Sequence, residues 1–361
     1  MKSSQHSNKE APSIASISSD VSYVCPACKS DLKDVSDGIT RCDVCAITYP
    51  AVEGVPLFAV NRYWGKIPEH EMKEAIATID QDGWEEFQKK YQKRLDVAFD
   101  DSRADWRFEV PLPDNSVILD MGAGLGRNTI PLARIAKQVV AFDQSLERAR
   151  FIRRRVQKEG LTNTRVFVGD VFQLPFAPKS FDLIVMNGVL EWVGKTDRFS
   201  NPRDAQRAAL SICRELLRDG GHLYIGIENR YSFVYLRGTP EHGGLRYTTF
   251  LPRRIASLYT RIRQGEPYRT YTHTRAGYQK LLHEAGFTQP TFFLPYPGYN
   301  LPRIVVPYHD LRAFRYMLTK LLSSRRLGPL GIGIRFIFSH STVALRIYRY
   351  FFFSFNIIAK R

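Results

Sequence analysis

Between residues 116 and 227, short apolar runs alternate with amphipathic stretches, and this alternation constrains the chain more than any other feature. The apolar runs are Ser116–Asp120, Gln138–Phe142, Thr164–Val168, Phe181–Met186 and His222–Ile227. Helical patterns fill the gaps at Gly126–Ala136, Ser145–Lys158 and Pro202–Arg218. A strand–helix–strand rhythm of this kind predicts an α/β domain with a doubly wound parallel sheet. Ligands of such sheets bind at the carboxyl ends of the strands, near the switch point.

The strand ends carry the chemistry. The first run closes as Asp120-Met121-Gly122-Ala123-Gly124-Leu125-Gly126. A dinucleotide loop would need glycine where Arg127 stands, so the G-x-G-x-G spacing indicates a different close approach of backbone to ligand. The second run ends at Asp143, where a carboxylate can accept both hydroxyls of a ribose. The third leads to Gly169-Asp170-Val171 and the fourth to Met186-Asn187-Gly188. Each residue alone has a plainer reading. Asp120 can cap the loop, Asp143 can cap the next helix, Asp170 suits a turn and Asn187 a strand end. As an ordered set, they resemble the class I S-adenosylmethionine (SAM)-dependent methyltransferases, in the group related to ubiquinone-methylating enzymes. The resemblance covers roughly residues 115–310 and implies a Rossmann-like, seven-stranded sheet. It further implies that Asp120, Gly122, Gly124 and Gly126 wrap the methionine moiety, and that Asp143 holds the ribose. Asp170 and Val171 would contact the adenine, with Asn187 beneath the sulfonium.

Four of the five cysteines form two C-x2-C pairs, Cys25/Cys28 and Cys42/Cys45, with 13 residues between them. Two such turns suit tetrahedral Zn²⁺, and four protein ligands make a closed, structural site. Disulfides or a redox CxxC are the alternatives, and both belong to a context not evident in this sequence. With Tyr49-Pro50 and Gly54-Val55-Pro56 following, the segment resembles small zinc ribbons related to the activator subunit of tRNA and protein methyltransferases. Cys213 reads as a buried core thiol.

After the fifth strand, residues 229–273 form an insertion longer than compact domains normally tolerate, and it is expected to act as a lid. Glu191, Glu228, His242 and His273 are candidate acid–base groups, and Arg230, Arg254 and Arg269 candidate anion clamps. A surface or core histidine is an equally good reading of either His, and Glu191 is as readily structural as functional. Many members of the resembled family carry His in the stretch that reads Val189-Leu190-Glu191-Trp192-Val193 here. The stretches Gly226–Tyr231, Gly238–His242 and Pro267–Thr274, with Asp101–Trp106, resemble methyltransferases of cell-surface polysaccharide gene clusters. That resemblance implies a small-molecule or glycan acceptor, the glycan free or lipid-linked. An RNA base methyltransferase and a non-enzymatic scaffold with a vestigial SAM fold are the alternatives.

Net charge sharpens the partition. Residues 1–227 hold 31 basic and 31 acidic residues, whereas residues 228–361 hold 21 and 5, so the whole excess of +16 lies in the last part. The expected organisation is a disordered leader (1–20), a zinc ribbon (21–60) and a helical cap over the pocket (61–110). A methyltransferase domain (111–310) and a basic, aromatic helical tail (311–361) follow. The tail suits the surface of an anionic membrane, with its own core and, less readily, nucleic acid as alternatives. With no secretory h-region, a cytoplasmic location is expected, peripheral to the membrane's inner face.

Overall fold

The computed structural model describes residues 21–36, 39–63, 67–95, 99–323 and 329–361; the proposed leader lies outside the described residues. The chain begins with short strands β1 (Lys33–Ser36), β2 (Ile39–Arg41) and β3 (Thr48–Tyr49), which pair antiparallel. A hairpin of β4 (Ala51–Val52) and β5 (Val55–Pro56) follows. Its turn residues Glu53 and Gly54 both have positive φ, the backbone form that matches strand twist in a two-residue loop. This unit is fastened to the rest of the protein. Val24 N–H donates to Pro175 O, Phe58 N–H donates to Val168 O, and Tyr23, Phe58, Phe167 and Phe176 form one aromatic cluster.

Helix α1 (Glu69–Leu95) is broken at Gly83, whose φ of 85° and ψ of 175° are not helical. Met72, Ile76 and Phe87 pack on Phe151, with Leu125 of the glycine loop at the edge. The expected cap therefore sits mainly on the helix that carries Phe151. A 3-10 helix at Asp101–Glu109 then leads into the sheet.

The sheet strands are β6 (Val117–Met121), β7 (Gln138–Asp143), β8 (Thr164–Val168), β9 (Phe181–Asn187) and β10 (Leu217–Glu228). Three more come late in the chain: β11 (Thr288–Tyr296), β12 (Ile304–Pro307) and β13 (Ser354–Lys360). Between them lie α2 (Thr129–Ala133), α3 (Leu146–Lys158), α4 (Pro202–Leu216), α5 (Phe233–Leu236), α6 (Arg253–Gln264) and α7 (Arg275–Glu284). Helices α8 (Leu311–Ser323), α9 (Pro329–His340) and α10 (Thr342–Tyr350) precede the last strand. The order across the sheet is β12-β11-β13-β10-β9-β6-β7-β8. Strands β8, β7, β6, β9 and β10 run parallel, and β13 runs antiparallel to both of its neighbours.

Both faces are covered. Residues of α4, α7, α8 and α10 pack with Leu119, Ile184 and Ile225 on one side. Those of α2 and α3 pack with residues that point the other way, among them Ile118, Val139 and Val166. Local signals agree with the helix starts: Ser145 caps α3 by accepting from Arg148 N–H, and α4 opens on Pro202 after its cap Asn201.

Two expectations need correction. The sheet has eight strands rather than seven. The last segment is also not a wholly helical tail, because Ser354–Lys360 is an inner strand of this sheet. Six of its seven residues are buried, and an apolar run buried on both faces has no periodicity to mark it as strand or helix.

Candidate active site

The three loop glycines, Gly122, Gly124 and Gly126, have φ of 61°, 61° and 75°. Side chains rarely adopt this conformation, so the loop turns sharply where β6 ends. A Cβ on Gly122 would lie 2.7 Å from Val189 Cγ2, whereas one on Gly124 would meet nothing nearer than 3.9 Å. The loop is thus packed from below at Gly122 and open at Gly124, as a ligand lying over the backbone requires.

Asp143 joins the loop to β7. Its Oδ2 accepts from Gly124 N–H at 3.0 Å and its Oδ1 from Ser145 N–H at 3.0 Å. Each carboxylate oxygen keeps a further lone pair, so the group can still accept a pair of hydroxyls. Asp120 is buried and accepts from Thr129 Oγ1 at 2.6 Å. Burial pushes its pKa up to about 7. It therefore braces the start of α2 against the loop. Asp170 forms the expected turn, accepting from Phe172 N–H, and pairs with Arg198 at 3.3 Å, with Val171 beside it. Asn187 is buried at the end of β9, and Arg103 donates to its carbonyl at 3.1 Å. All eight residues expected to bind cofactor therefore lie at or just beyond the carboxyl ends of β6–β9.

Three of the four acid–base candidates meet beside them. Glu191 follows β9, Glu228 ends β10, and His242 comes from the insertion. His242 Nε2 lies 3.0 Å from Glu228 Oε2 and 3.6 Å from Glu191 Oε1. Tyr299 OH donates to the other oxygen of Glu228 at 3.0 Å, and the Trp192 ring lies 5.1 Å from the imidazole. Burial, then Glu228, push the Glu191 pKa upward. Burial also opposes charge on His242, but the Glu228 carboxylate outweighs it and raises the imidazole pKa to about 9. Burial raises Glu228 too, yet His242 wins and its pKa falls. The neighbouring Glu241 holds the loop in place, accepting from Gly243 N–H at 2.7 Å and Thr270 Oγ1 at 2.9 Å.

His273 goes elsewhere. Its Nε2 is 2.8 Å from Gln206 Oε1, and burial pulls its pKa down to about 3, with Arg253, Arg203 and Arg230 adding to the effect. The arginines read as anion clamps divide. Arg230 donates to the carbonyls of Thr249 and Leu251, and Arg269 to those of Gly194, Thr196 and Phe199. Both stitch the insertion to itself and to the body, so their donors are engaged within the fold. Arg254 is exposed on α6. The insertion is also clipped to the chain end, where Asn229 Nδ2 donates to the carbonyls of Tyr350 and Phe352. It is a built wall more than a loose lid.

Arg103, Tyr299 and Trp192 were not singled out from the sequence. Arg103 and Trp192 lie within stretches that attracted notice, but Tyr299 sits in a turn between late strands with no pattern to mark it.

The four cysteines also converge, with all sulfurs within 4.8 Å of one another. Cys28 and Cys42 sulfurs are 3.5 Å apart, close to the ~3.8 Å edge of a tetrahedron with 2.3 Å bonds. The residue after each pair, Lys29 or Ala46, has positive φ, so the two knuckles share one backbone form. The donor set fits a tetrahedral soft-ligand ion. Cys213 is buried against Met121 and Met186, as expected of a core thiol.

Comparison with known proteins gives one family match and several partial relatives. Residues 119–225 match the family described as "Methyltransferase domain". A Methanosphaera stadtmanae protein named "Probable ribosomal RNA small subunit methyltransferase A" is 33% identical over 109 residues, covering 28% of this chain and 40% of that one. A ubiquinone biosynthesis O-methyltransferase of Chelativorans is 28% identical over 172 residues, covering 43% and 63%. Each match thus spans less than two thirds of the relative. Among solved structures, Haemonchus contortus phosphoethanolamine N-methyltransferase 2, in complex with phosphomonomethylethanolamine and S-adenosylhomocysteine, aligns with a TM-score of 0.41 and 17% identity. That alignment covers 72% of this chain and 52% of the other. Residues 119–225 therefore carry a methyltransferase domain.

Proposed function

We propose that this protein transfers a methyl group from SAM to a hydroxyl-bearing acceptor, a glycan or lipid-linked saccharide. One observation carries the reading: the glycine loop and Asp143 lie at the same sheet edge as the Glu191–Glu228–His242 cluster. SAM supplies a methyl group already activated on a sulfonium, so the protein must chiefly align, desolvate and polarise the acceptor. Gly122, Gly124 and Gly126 would admit the methionine part, Asp143 would accept the ribose hydroxyls, and Asp170 and Val171 would flank the adenine. Asn187, fixed by Arg103, would line the floor. A sugar hydroxyl must shed its proton during transfer, and a cluster of two carboxylates and an imidazole is suited to that need.

Zinc held by Cys25, Cys28, Cys42 and Cys45 would fold the amino-terminal unit. We further place the protein at an anionic membrane face. On α6, Ile255, Leu258 and Ile262 are exposed on one stripe, flanked by Arg254, Arg261 and Arg263. Exposed Phe336, Val343 and Ile347 give α9 and α10 apolar surface of their own. No described helix is long and apolar enough to cross a membrane, and this pattern suits a surface that rests among headgroups.

Incubating the protein with labelled SAM and fractionated cell extract tests the acceptor. Label in envelope saccharides is the expected outcome. Label in RNA instead, abolished by raising the salt, would replace this reading with the nucleic-acid one.

A further inference from the structure

Glu191 presents a problem of physical chemistry. The residue is fully buried, and among the described residues neither carboxylate oxygen has a hydrogen-bond partner. An unpaired buried carboxylate is costly, by several kcal/mol on the order of magnitude for a desolvated ion. The neighbouring atoms repeat the pattern: Glu228 Oε2 and His242 Nε2 also lack hydrogen-bond partners, although they lie 3.0 Å apart. Their contact is close but not aligned as a hydrogen bond. Three side chains thus turn bare donor atoms toward one point, all within 4.8 Å of one another.

The separations match shared ligation better than mutual pairing. Neighbouring ligands on an ion with ~2.1 Å bonds lie ~3.0–3.4 Å apart. Here Nε2 is 3.0 Å from one carboxylate oxygen and 3.6 Å from the other. The outer contacts are those of a supported site. Tyr299 donates to the far oxygen of Glu228, and Glu241 clamps the backbone that carries His242. Such contacts orient ligands in metal centres. An ion that displaces the protons of the cluster would face two carboxylates and a neutral imidazole, whose charge of −2 balances a divalent cation.

We propose that Glu191, Glu228 and His242 bind one divalent first-row cation, with manganese the ion best suited to two carboxylates and one imidazole. This centre is distinct from the four-cysteine site, whose thiolates favour softer ions. Three protein ligands leave coordination positions for oxygen donors, and a pair of sugar hydroxyls is the acceptor chemistry that fits them. That last role rests on the methyl-transfer reading above; the binding of the ion does not.

The test is a titration of the full-length protein with Mn²⁺, followed by the loss of the free-ion signal in electron paramagnetic resonance. No SAM or acceptor is added, so failure here is separable from failure of the methyltransferase reading. One Mn²⁺ per chain is expected, with at least tenfold weaker binding in each of E191Q and H242Q and unchanged binding in K360A, at the exposed end of β13. Melting curves must show that the variants fold. Should both fail to fold, pulsed resonance of the wild-type complex decides, because histidine ligation gives nitrogen hyperfine coupling to the bound manganese. Absence of Mn²⁺ binding, binding indifferent to both substitutions, or no nitrogen coupling would each overturn the site.

Discussion

Ile357 lies in β13 with Ile225 of β10 on one side and Phe292 of β11 on the other, and it is fully buried. If this strand is part of the core, Ile357→Ala must be severe. The substitution removes the three carbons beyond Cβ, a transfer term of about 2.4 kcal/mol at ~0.8 kcal/mol per carbon. The hole adds to this, because strands on either side hold the backbone and limit collapse, which places the cost at about 3–4 kcal/mol. That is a large part of the ~5–15 kcal/mol that domains usually possess. Lys360→Ala, at the exposed end of the same strand, should change stability by less than ~0.5 kcal/mol. Urea unfolding followed by tryptophan fluorescence suits the comparison. Trp106 is buried and stacked on Tyr224 of β10, with ring centroids 3.6 Å apart. Equal midpoints for Ile357→Ala and Lys360→Ala would show the last segment to be a detachable tail and refute its place in the sheet.

Gly122→Ala should weaken SAM binding at least tenfold by calorimetry, since the added Cβ meets Val189 at 2.7 Å in a left-handed turn. Gly160→Ala has a similar φ and open space, and should leave affinity unchanged; equal effects would mean that backbone strain alone is responsible. Cys28→Ser should lower bound zinc from one ion per chain toward none, measured by metal analysis, and reduce the melting temperature; retention of zinc would argue against four-cysteine ligation. His273, with a folded pKa of about 3 against ~6.5 unfolded, favours folding fully above pH 6.5. That contribution erodes as pH falls toward 3, because the unfolded chain takes up the proton first. Between pH 6.5 and 5 the loss is about 2 kcal/mol. His273→Asn should flatten the pH dependence of unfolding by that amount, and parallel curves for variant and wild type would contradict it.

The part of the fold visible in the sequence was the part built from neighbours. Each of β6 to β9 is a local apolar run that ends at or just before an Asp, Asn or Gly, so position and chemistry are written together. The cysteine knuckles are similarly local. β13 is not marked in the sequence because its placement is a long-range fact: Ser354–Lys360 enters between β10 and β11, and Ser354 comes 354 − 296 = 58 residues after Tyr296, where the nearer of them ends. The same limit explains the site. Glu191, Glu228 and His242 were each identifiable as titratable residues after strands or within the insertion. Nothing in their spacing shows that they meet, or that His273 is drawn away to Gln206.

The concentration of positive charge after residue 227 also takes on a different meaning. An arginine can satisfy several carbonyls at once through its planar donor fork, and the irregular insertion has many carbonyls that no helix or strand satisfies. Arg230 does this within the insertion, Arg269 does it for Gly194 and Thr196 beside the insertion, Arg253 bonds Thr272 O, and Arg349 and Arg361 reach the carbonyls of Tyr308 and Leu217. Such contacts require a donor but no acid, so a loop-rich region can become strongly basic without any anionic partner. Net charge alone is therefore a poor measure of a docking surface here. For the membrane docking proposed above, the cations to test are the exposed ones on α6, Arg254, Arg261 and Arg263, which border Ile255, Leu258 and Ile262. Replacing these three arginines should release the protein from anionic vesicles while leaving its unfolding curve in place, whereas replacing Arg230 or Arg269 should destabilise it first. Flotation and urea titration of the same variants separate the two classes, and a reversal of that order would show that the charge serves the surface throughout.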